Sequence, residues 1–231
     1  MTVILVGKTE HHLCTSSDAD LLGARVHDRV VEPFRYLQHD AREAGFDLRI
    51  LSGFRSYDHQ LSIWNRKARG ELAVLDSDAT PLDVKTLSDE DLVFAILRWS
   101  ALPGASRHHW GTDLDVYDDA AKPPGYQIEL VPEEVNAGGM FGLFHEWLDE
   151  RIHTGASYGF VRPYDIDRKG VAPERWHLSY APLATGYLKE LTVHLLRETV
   201  ASADMQLKDT VLPNLDEIHE RFVINVNPAT K

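Results

Sequence analysis

The sequence predicts a single α+β domain with a small, mainly antiparallel sheet flanked by helices. Three observations support this prediction: helical and strand-like segments follow one another in mixed order, the strand-like segments are short, and no internal repeat occurs. With 231 residues, of which 43% are hydrophobic, the chain is long enough to bury a substantial core. We expect one globular unit over residues 1–231, with a motif-bearing core over 46–200 and a C-terminal extension over 201–231.

The N-terminal segments are predicted from their apolar patterns. The short apolar run over residues 1–8 indicates a first strand. Residues 17–45 have apolar side chains at helical spacing, so they predict a helix that Gly45 ends. Pro33 should kink or divide this helix, because proline removes a backbone donor and clashes with the preceding turn.

The middle of the chain predicts a strand followed by two helices. Apolar and polar residues alternate over residues 46–51, as in a half-buried strand. Helical spacing resumes over residues 57–68, with Ser56 as the expected N-cap. A second amphipathic helix should begin after Ser88 and end at Pro103.

The C-terminal half predicts two further strands, two helices and an edge strand. Residues 112–117 and 176–180 have strand patterns, whereas 133–152 and 183–200 have helical ones. The apolar run over residues 222–226 is expected to add a strand at a sheet edge.

The overall charge and the cysteine content exclude several classes of function. The formal charge of -12 leaves no basic stripe, so neither nucleic acid nor an anionic membrane is an expected partner. No segment approaches the roughly 20 consecutive apolar residues of a membrane span. Cys14 is the single cysteine, so an intrachain disulfide is impossible and any metal site must use histidine and carboxylate ligands.

The first eight residues do not resemble a signal peptide, because no basic residue precedes the apolar run and no cleavage site follows it. As the sequence stands, we expect a cytoplasmic protein. A periplasmic or extracellular location would require that an export signal had been removed.

Three short segments, 52–56, 106–115 and 174–177, contain most of the residues that could bind a metal or take part in catalysis. A hydrolytic zinc ion needs three protein ligands, commonly imidazole and carboxylate, and one open position for water. His108, Asp115 and His177 supply such a set. They are therefore the predicted ligands of one Zn²⁺ ion.

Turns are needed to bring these ligands together. On a regular strand, the seven-residue offset would put His108 and Asp115 on opposite sides, so Gly111 is expected to bend the chain between them. Pro173 should introduce a turn that puts Glu174 on the same side as His177. Glu174 could then act as general base on the metal-bound water.

Two further side chains are expected to contact substrate. Arg55 offers a planar fork of donors for a terminal carboxylate or for the oxygen that becomes negative during attack, although it could also form an ordinary surface ion pair. Ser106 could add one hydrogen bond to substrate.

The three segments together resemble a known family. The pattern Ser-x-His-x-x-Gly-x-x-x-Asp, preceded by Ser-Gly-Phe-Arg-Ser and followed by Glu-x-Trp-His, is similar to that of the zinc D-alanyl-D-alanine carboxypeptidases. This family shares its fold with the Hedgehog signalling domain. The matching motifs lie within residues 52–180, and their joint occurrence in this order is much more specific than any one of them.

The resemblance implies both the fold and the roles of the site residues. It implies a small antiparallel sheet flanked by helices, as the pattern of segments also predicts. It implies that zinc is bound by His108, Asp115 and His177. It also implies that Glu174 is the catalytic base and that Arg55 and Ser106 face the substrate, a muropeptide or another peptide that ends in D-alanine.

Several neighbouring residues have more than one interpretation. Asp113 stands where the family usually has a small residue, and it could orient a ligand histidine or be solvated at the edge of the cleft. His109 adjoins His108, but its spacing to the following motif residues favours packing or lining of the cleft. Gln60, in the helix after Arg55, could contact substrate or pack internally, and Trp176 is expected in the core or the cleft wall.

The leading functional hypothesis is a carboxypeptidase that removes a terminal D-alanine from peptidoglycan stem peptides or precursors, with D,D or L,D specificity. An endopeptidase of the stem peptide or a D-Ala-D-Ala dipeptidase is the main alternative. A non-catalytic zinc module is less favoured, because Glu174 is present. The pattern does not indicate an oligomeric state.

Overall fold

A four-stranded antiparallel sheet lies at the centre of the protein. The computed structural model describes residues 2–227. The strands are β1 (Leu48–Ser52), β2 (Asp113–Asp118), β3 (Phe160–Val161) and β4 (His177–Tyr180), arranged in the order β1-β2-β4-β3. Each neighbouring pair is antiparallel. The predicted α+β class with a small antiparallel sheet is confirmed.

Helices surround this sheet. In chain order they are α1 (Thr2–Leu5), α2 (Ser16–Leu22), α3 (Val31–Glu43), α4 (Tyr57–Ala68), α5 (Asp89–Trp99), α6 (Pro132–Val135), α7 (Gly142–His153), α8 (Ala181–Glu190), α9 (Val193–Ala201), α10 (Lys208–Val211) and α11 (Leu215–Ile218). Short 3₁₀ turns span Asp28–Val30, Val84–Thr86 and Arg107–Trp110, and a π-helical turn spans His219–Val223. Across residues 2–227, every helix is too short or too polar to traverse a lipid bilayer.

The two faces of the sheet have different environments. On β2, Leu114 and Val116 belong to a hydrophobic cluster that also contains side chains of α3 and α7. The alternate residues Asp113 and Asp115 are therefore directed to the opposite face, because successive side chains of a strand alternate. This alternation, which the sequence predicts, separates the packed face from a polar one.

A second hydrophobic cluster joins α4, α5, α8 and α9. Residues of the predicted C-terminal extension belong to it, namely Val211, Leu215, Ile218 and Val223. The last helices therefore pack against the helices of the motif-bearing core.

The sequence correctly predicts the strands with alternating patterns and the helices with clear N-cap residues. Strands β1, β2 and β4 lie where the alternating patterns indicate. Ser56 caps α4 by accepting a hydrogen bond from the His59 backbone N–H at 3.2 Å, and Ser88 caps α5 in the same way from Asp91 at 3.1 Å.

The predicted N-terminal strand is wrong, because Thr2–Leu5 forms one turn of helix. An apolar run this short has no period that distinguishes a strand from a buried helical turn. Leu5 and Val6 are buried in the helical cluster, and the Trp110 indole donates a hydrogen bond to the Leu5 carbonyl at 3.0 Å.

The helix predicted over residues 17–45 is two helices, α2 and α3. Gly23 ends α2 in a left-handed conformation at φ 76°, which glycine adopts without steric cost. Pro33 neither kinks nor divides the helix, because it lies in the first turn of α3, where backbone N–H groups have no intrahelical acceptor.

The two later helices are also divided. The segment 133–152 forms α6 and α7, separated by a turn in which a Cβ on Gly139 would lie 2.3 Å from the Glu133 carbonyl oxygen. The segment 183–200 is divided between α8 and α9, and Thr192 caps the second by accepting from the Leu195 N–H at 3.2 Å.

The edge strand predicted over residues 222–226 is wrong. The π-helical turn occupies the first two of these residues, and Val223 is buried in the helical cluster. Packing against helices, and not pairing in a sheet, therefore explains the apolar run.

Candidate metal centre

The three predicted metal ligands meet at the polar face of the sheet. His108, Asp115 and His177 are all buried, and one ligand atom from each lies within 4.8 Å of the others. Asp115 Oδ2 is 3.4 Å from His108 Nε2, and Asp115 Oδ1 is 3.5 Å from His177 Nδ1. Two imidazoles and a carboxylate thus converge in a geometry that could hold one metal ion.

Strand pairing and one glycine explain this convergence. Asp115 on β2 is directly opposite His177 on β4, so both side chains leave the same face of the sheet. His108 arrives from the 3₁₀ turn that Gly111 ends at φ 65°. A Cβ on Gly111 would lie 2.7 Å from the His27 backbone nitrogen, so the turn requires glycine.

Hydrogen bonds on the far side of each ring orient the two histidines. His108 Nδ1 lies 2.9 Å from the Gly53 carbonyl oxygen, which can only accept, so this nitrogen carries the proton and Nε2 is directed to Asp115. His177 Nε2 lies 3.1 Å from Asp113 Oδ1, which leaves Nδ1 for the site. A carbonyl or carboxylate partner on the second nitrogen is typical of metal-binding histidines.

Asp113 is completely buried, which contradicts the solvated interpretation, and its Oδ1 lies 3.1 Å from His177 Nε2, as a residue that orients this ring would. Its carboxylate also accepts from Arg107 Nε and from the Thr112 hydroxyl, each at 2.7 Å. Burial alone would raise the pKa of Asp113, but Arg107 and His177 lower it well below its ordinary value. The aspartate is therefore ionised at neutral pH.

The electrostatic environment favours positive charge at the ligand atoms. Burial alone would raise the pKa of Asp115, but His108, His177 and Arg55 lower it. Burial would lower the pKa of His177, yet hydrogen bonds to Asp113 and Glu174, together with Asp115, raise it to about 9. The carboxylates that favour a proton on this ring would also favour a divalent cation.

Glu174 lies beside the ligand nitrogen of His177. The predicted turn after Pro173 is present, since the His177 N–H donates to the Glu174 carbonyl at 3.1 Å. Glu174 Oε2 is 3.2 Å from His177 Nδ1, and the side chain keeps 12% of its surface exposed. The carboxylate therefore reaches both the metal site and the cavity in front of it.

Arg55 and Gln60 form one supporting unit. Arg55 donates through Nη1 to Gln60 Oε1 at 3.0 Å and through Nη2 to Ser52 Oγ at 3.3 Å. The Gln60 amide donates in turn to the Ala101 carbonyl at 2.7 Å, and Gln60 has no exposed surface. Gln60 thus lies behind Arg55, and its direct contact with substrate stays a prediction.

Burial lowers the pKa of Arg55, whereas Asp115 and Glu174 raise it. The guanidinium remains a cation at any physiological pH, because arginine is protonated far above this range.

His109 has a structural role, in agreement with its expected packing position. Nε2 accepts from the Gly104 N–H at 3.1 Å, so Nδ1 carries the proton and donates to the Arg55 carbonyl at 2.7 Å. Burial lowers the pKa of His109 to about 3. The ring is neutral and both nitrogens are occupied by the backbone, so it cannot replace His108 as a ligand.

A cavity of about 260 Å³ opens in front of the metal ligands. Among its lining residues are the three ligands and the predicted Arg55, Ser106, Glu174 and Trp176. The structure therefore brings together all the predicted site residues except Gln60 around one small cavity, and Trp176 forms part of its wall.

Arg107 and Tyr164 are among the lining residues that were not predicted. The Tyr164 ring packs edge-on against His177 with 5.1 Å between ring centres. No motif signals Tyr164 in the sequence. Arg107 could have been found, because it stands inside the histidine motif and Asp113 departs from the same motif six residues later.

Comparisons of sequence place the chain among known peptidases. The family model described as VanY, D-alanyl-D-alanine carboxypeptidase, matches residues 23–183. An uncharacterized protein of Haemophilus influenzae is 30% identical over 125 residues, which are 53% of this chain and 93% of that protein. A D-alanyl-D-alanine carboxypeptidase of Enterococcus faecalis is 26% identical over 161 residues, or 68% of this chain and 49% of the relative.

Solved structures give the same assignment of fold. A mutant of the vancomycin-resistance D,D-pentapeptidase VanY in complex with Zn(II) superposes with a TM-score of 0.50 at 25% identity, covering 80% of this chain and 87% of the other. VanYB in complex with D-alanine-D-alanine also has a TM-score of 0.50, at 23% identity over 83% of this chain and 89% of the other. The family match covers both the sheet and the ligand-bearing segments, and the chain belongs to the VanY family of D-alanyl-D-alanine carboxypeptidases.

Proposed function

We propose that this protein is a zinc-dependent exopeptidase that removes a terminal D-alanine from peptidoglycan stem peptides or their precursors. Membership of the family supports the D-alanyl substrate, and the Zn(II) complex of a relative supports the metal. One observation carries the choice of an exopeptidase: the Arg55 guanidinium lines the same small cavity as the metal ligands and Glu174.

The donor set fits zinc. Two neutral imidazoles and one carboxylate form a common ligand set of hydrolytic zinc, which leaves a fourth position for water. His108, Asp115 and His177 would hold the ion. When bound, zinc acts as a Lewis acid that polarises the substrate carbonyl and lowers the pKa of water.

Glu174 is suited to move the proton. Its carboxylate lies 3.2 Å from a ligand nitrogen and borders the cavity, so water and the scissile peptide would both be within its reach. Glu174 would accept a proton from water during attack and donate it to the nitrogen of the breaking peptide bond, so that D-alanine leaves with a neutral amino group.

Arg55 is suited to bind the end of a peptide. Its guanidinium is held by Gln60 and Ser52 and retains further N–H donors for a carboxylate. A free C-terminal carboxylate would form charge-assisted hydrogen bonds with these donors. The cavity of about 260 Å³ is slightly smaller than the roughly 300–1,000 Å³ of typical ligand sites, which favours a chain end over a continuous strand.

The test is a panel of peptides analysed by mass spectrometry. It contains a stem pentapeptide that ends in D-Ala-D-Ala, the tetrapeptide, the free D-Ala-D-Ala dipeptide, and each peptide with an amidated C-terminus. We expect the zinc-loaded protein to release D-alanine from at least one free-acid peptide. A chelator should abolish release and added zinc should restore it. No release from any free-acid peptide would contradict the proposal.

The amidated peptides distinguish an exopeptidase from an endopeptidase. If Arg55 binds the terminal carboxylate, amidation should strongly reduce cleavage. Equal cleavage of free and amidated peptides, or digestion of intact wall material in a zymogram, would instead favour an endopeptidase. The pentapeptide and tetrapeptide also distinguish D,D from L,D specificity, because they differ in the configuration of the residue before the scissile bond.

A further inference from the structure

One guanidinium contacts or adjoins all three segments that carry the metal ligands. Arg107 immediately precedes His108 in the 3₁₀ turn. Its Nε donates to Asp113 Oδ1 at 2.7 Å, and its Nη2 donates to Ser179 Oγ at 2.6 Å. Arg107 therefore joins the turn to β2 and to β4.

The register of the strands relates these contacts to the ligands. Asp113 is directly opposite Ser179, and the next pair on the same face is Asp115 opposite His177. The Arg107 fork thus bridges one cross-strand pair, and a metal ion would bridge the adjacent pair.

The hydrogen bonds from Arg107 to Asp113 and Ser179 are buried, and each uses a donor at a fixed angle of the guanidinium. Arg107 has 6% of its surface exposed and Asp113 has none, so water cannot substitute for the missing partner if either is lost. The guanidinium carbon also lies 5.0 Å from the centre of the Trp110 ring, which restricts the plane of the fork. A lysine could not reproduce two donors at fixed angles.

Asp113 extends the same unit to a ligand ring. Its Oδ1 accepts from both Arg107 and His177, and its Oδ2 accepts from the Thr112 hydroxyl. The aspartate therefore fixes which nitrogen of His177 carries the proton, while Arg107 fixes the aspartate.

We propose that Arg107 and Asp113 together are positioning residues that hold the three ligand segments in their binding geometry and thereby set the affinity for the metal. The inference rests on the proposed function only in that the site binds zinc. Ligands that are already in place lose less conformational freedom on binding, and loss of an outer partner of a metal ligand typically costs about 10- to 100-fold in affinity.

The test compares zinc dissociation constants by competition with a chromophoric chelator. The variants are Arg107→Met, which keeps the apolar stem but removes the guanidinium donors, and Asp113→Asn, which preserves shape. The matched control is Arg162→Met, because Arg162 is also buried and ion-paired, to Asp149 at 2.7 Å, but does not line the cavity. Circular dichroism and thermal unfolding in chelator report folding separately from binding.

We expect about 10- to 100-fold weaker zinc binding for Arg107→Met and for Asp113→Asn, and an unchanged zinc Kd for Arg162→Met. The double variant should lose little more than the weaker-binding single variant, since the two residues act as one unit. If Arg107→Met does not fold, Asp113→Asn decides the question.

The zinc-binding measurements distinguish a failure of the proposed function from a failure of the positioning role alone. Wild-type protein that binds no zinc would overturn the proposed function and this inference with it. Wild-type protein that binds zinc, with Arg107→Met and Asp113→Asn binding equally well, would overturn the positioning role alone. An equal loss in Arg162→Met would also overturn it, because the effect would then follow general destabilisation.

Discussion

Two aspartates only two residues apart on β2 have different roles because of what each one faces. Asp115 faces the ligand nitrogens of His108 and His177. Asp113 faces the opposite nitrogen of His177 and the Arg107 guanidinium. Both carboxylates are ionised, but only Asp115 has its charge directed to the position of a metal. Their difference arises from neighbouring residues and not from the strand itself.

Glu174→Gln should abolish most of the turnover while zinc binding is retained. The amide preserves the shape of the side chain but cannot accept the proton, and general-base assistance is typically worth about 10² to 10⁴-fold. Steady-state release of D-alanine measures the loss, and metal analysis of the purified variant measures zinc. Turnover equal to wild type would remove Glu174 from the mechanism.

Arg55→Met should reduce kcat/KM for free-acid peptides by about 10- to 100-fold, the equivalent of one charged hydrogen-bonded contact of roughly 1.5–3 kcal/mol. Peptides with an amidated end provide the control, because they lack the carboxylate that Arg55 would bind. The same loss on free-acid and amidated peptides would indicate that Arg55 acts on the reacting oxygen or on folding instead.

Among individual residues, the candidate metal ligands are easier to predict from the sequence than the residues that hold the site in place by hydrogen bonds. His108, Asp115, His177 and Glu174 could be singled out because zinc hydrolysis demands particular side chains in ordered motifs, and the structure brings the first three together in a group that could hold one metal ion. Gln60, for which both substrate contact and internal packing were open, lies behind Arg55, since its amide donates to a backbone carbonyl. Such contacts depend on tertiary packing, which no local pattern encodes.

Among the secondary-structure elements, those with a chemical signal at their ends were predictable. Ser56 and Ser88 mark the starts of α4 and α5 and cap them as expected. The breaks between α2 and α3 and between α8 and α9 were missed, because the apolar pattern continues through them. Local turn geometry at Gly23 and Thr192 overrides that pattern.

The turn that brings His108 to the sheet can be tested at Gly111. Gly111→Ala should lower the free energy of unfolding by more than the ~1–2 kcal/mol of left-handed strain, because its Cβ would also meet the His27 backbone at 2.7 Å. Gly125→Ala is the control, since Gly125 has φ 78° but no atom within 4 Å of its added Cβ. Urea unfolding should show the larger loss for Gly111→Ala; equal losses would mean that the contact relaxes freely.

For the whole molecule, buried neutral histidines predict a loss of stability in acid. Burial, together with His27, lowers the pKa of His12 to about 4, and burial lowers that of His109 to about 3. Unfolded histidines have a pKa near 6.5, so below this pH the unfolded chain binds more protons than the folded protein. Their contribution to stability is complete above pH 6.5 and declines as the pH falls towards 3–4.

Urea unfolding between pH 7 and 4, with chelator present, measures this decline. His12→Leu removes one ionisable group and leaves an apolar side chain of similar size beside Phe54. The variant should therefore show a shallower dependence on pH. An unaltered dependence would mean that His12 does not contribute to it.

The direct pairing of Asp115 with His177 across β2 and β4 has a consequence for how the protein reaches its native state. Sliding either strand by a single position would turn its ligand towards the hydrophobic layer, since side-chain direction reverses at every step. Only one alignment of the two strands can therefore offer a complete coordination sphere. A bound cation would stabilise that alignment and no other. Metal binding during folding would therefore select the native register of the sheet.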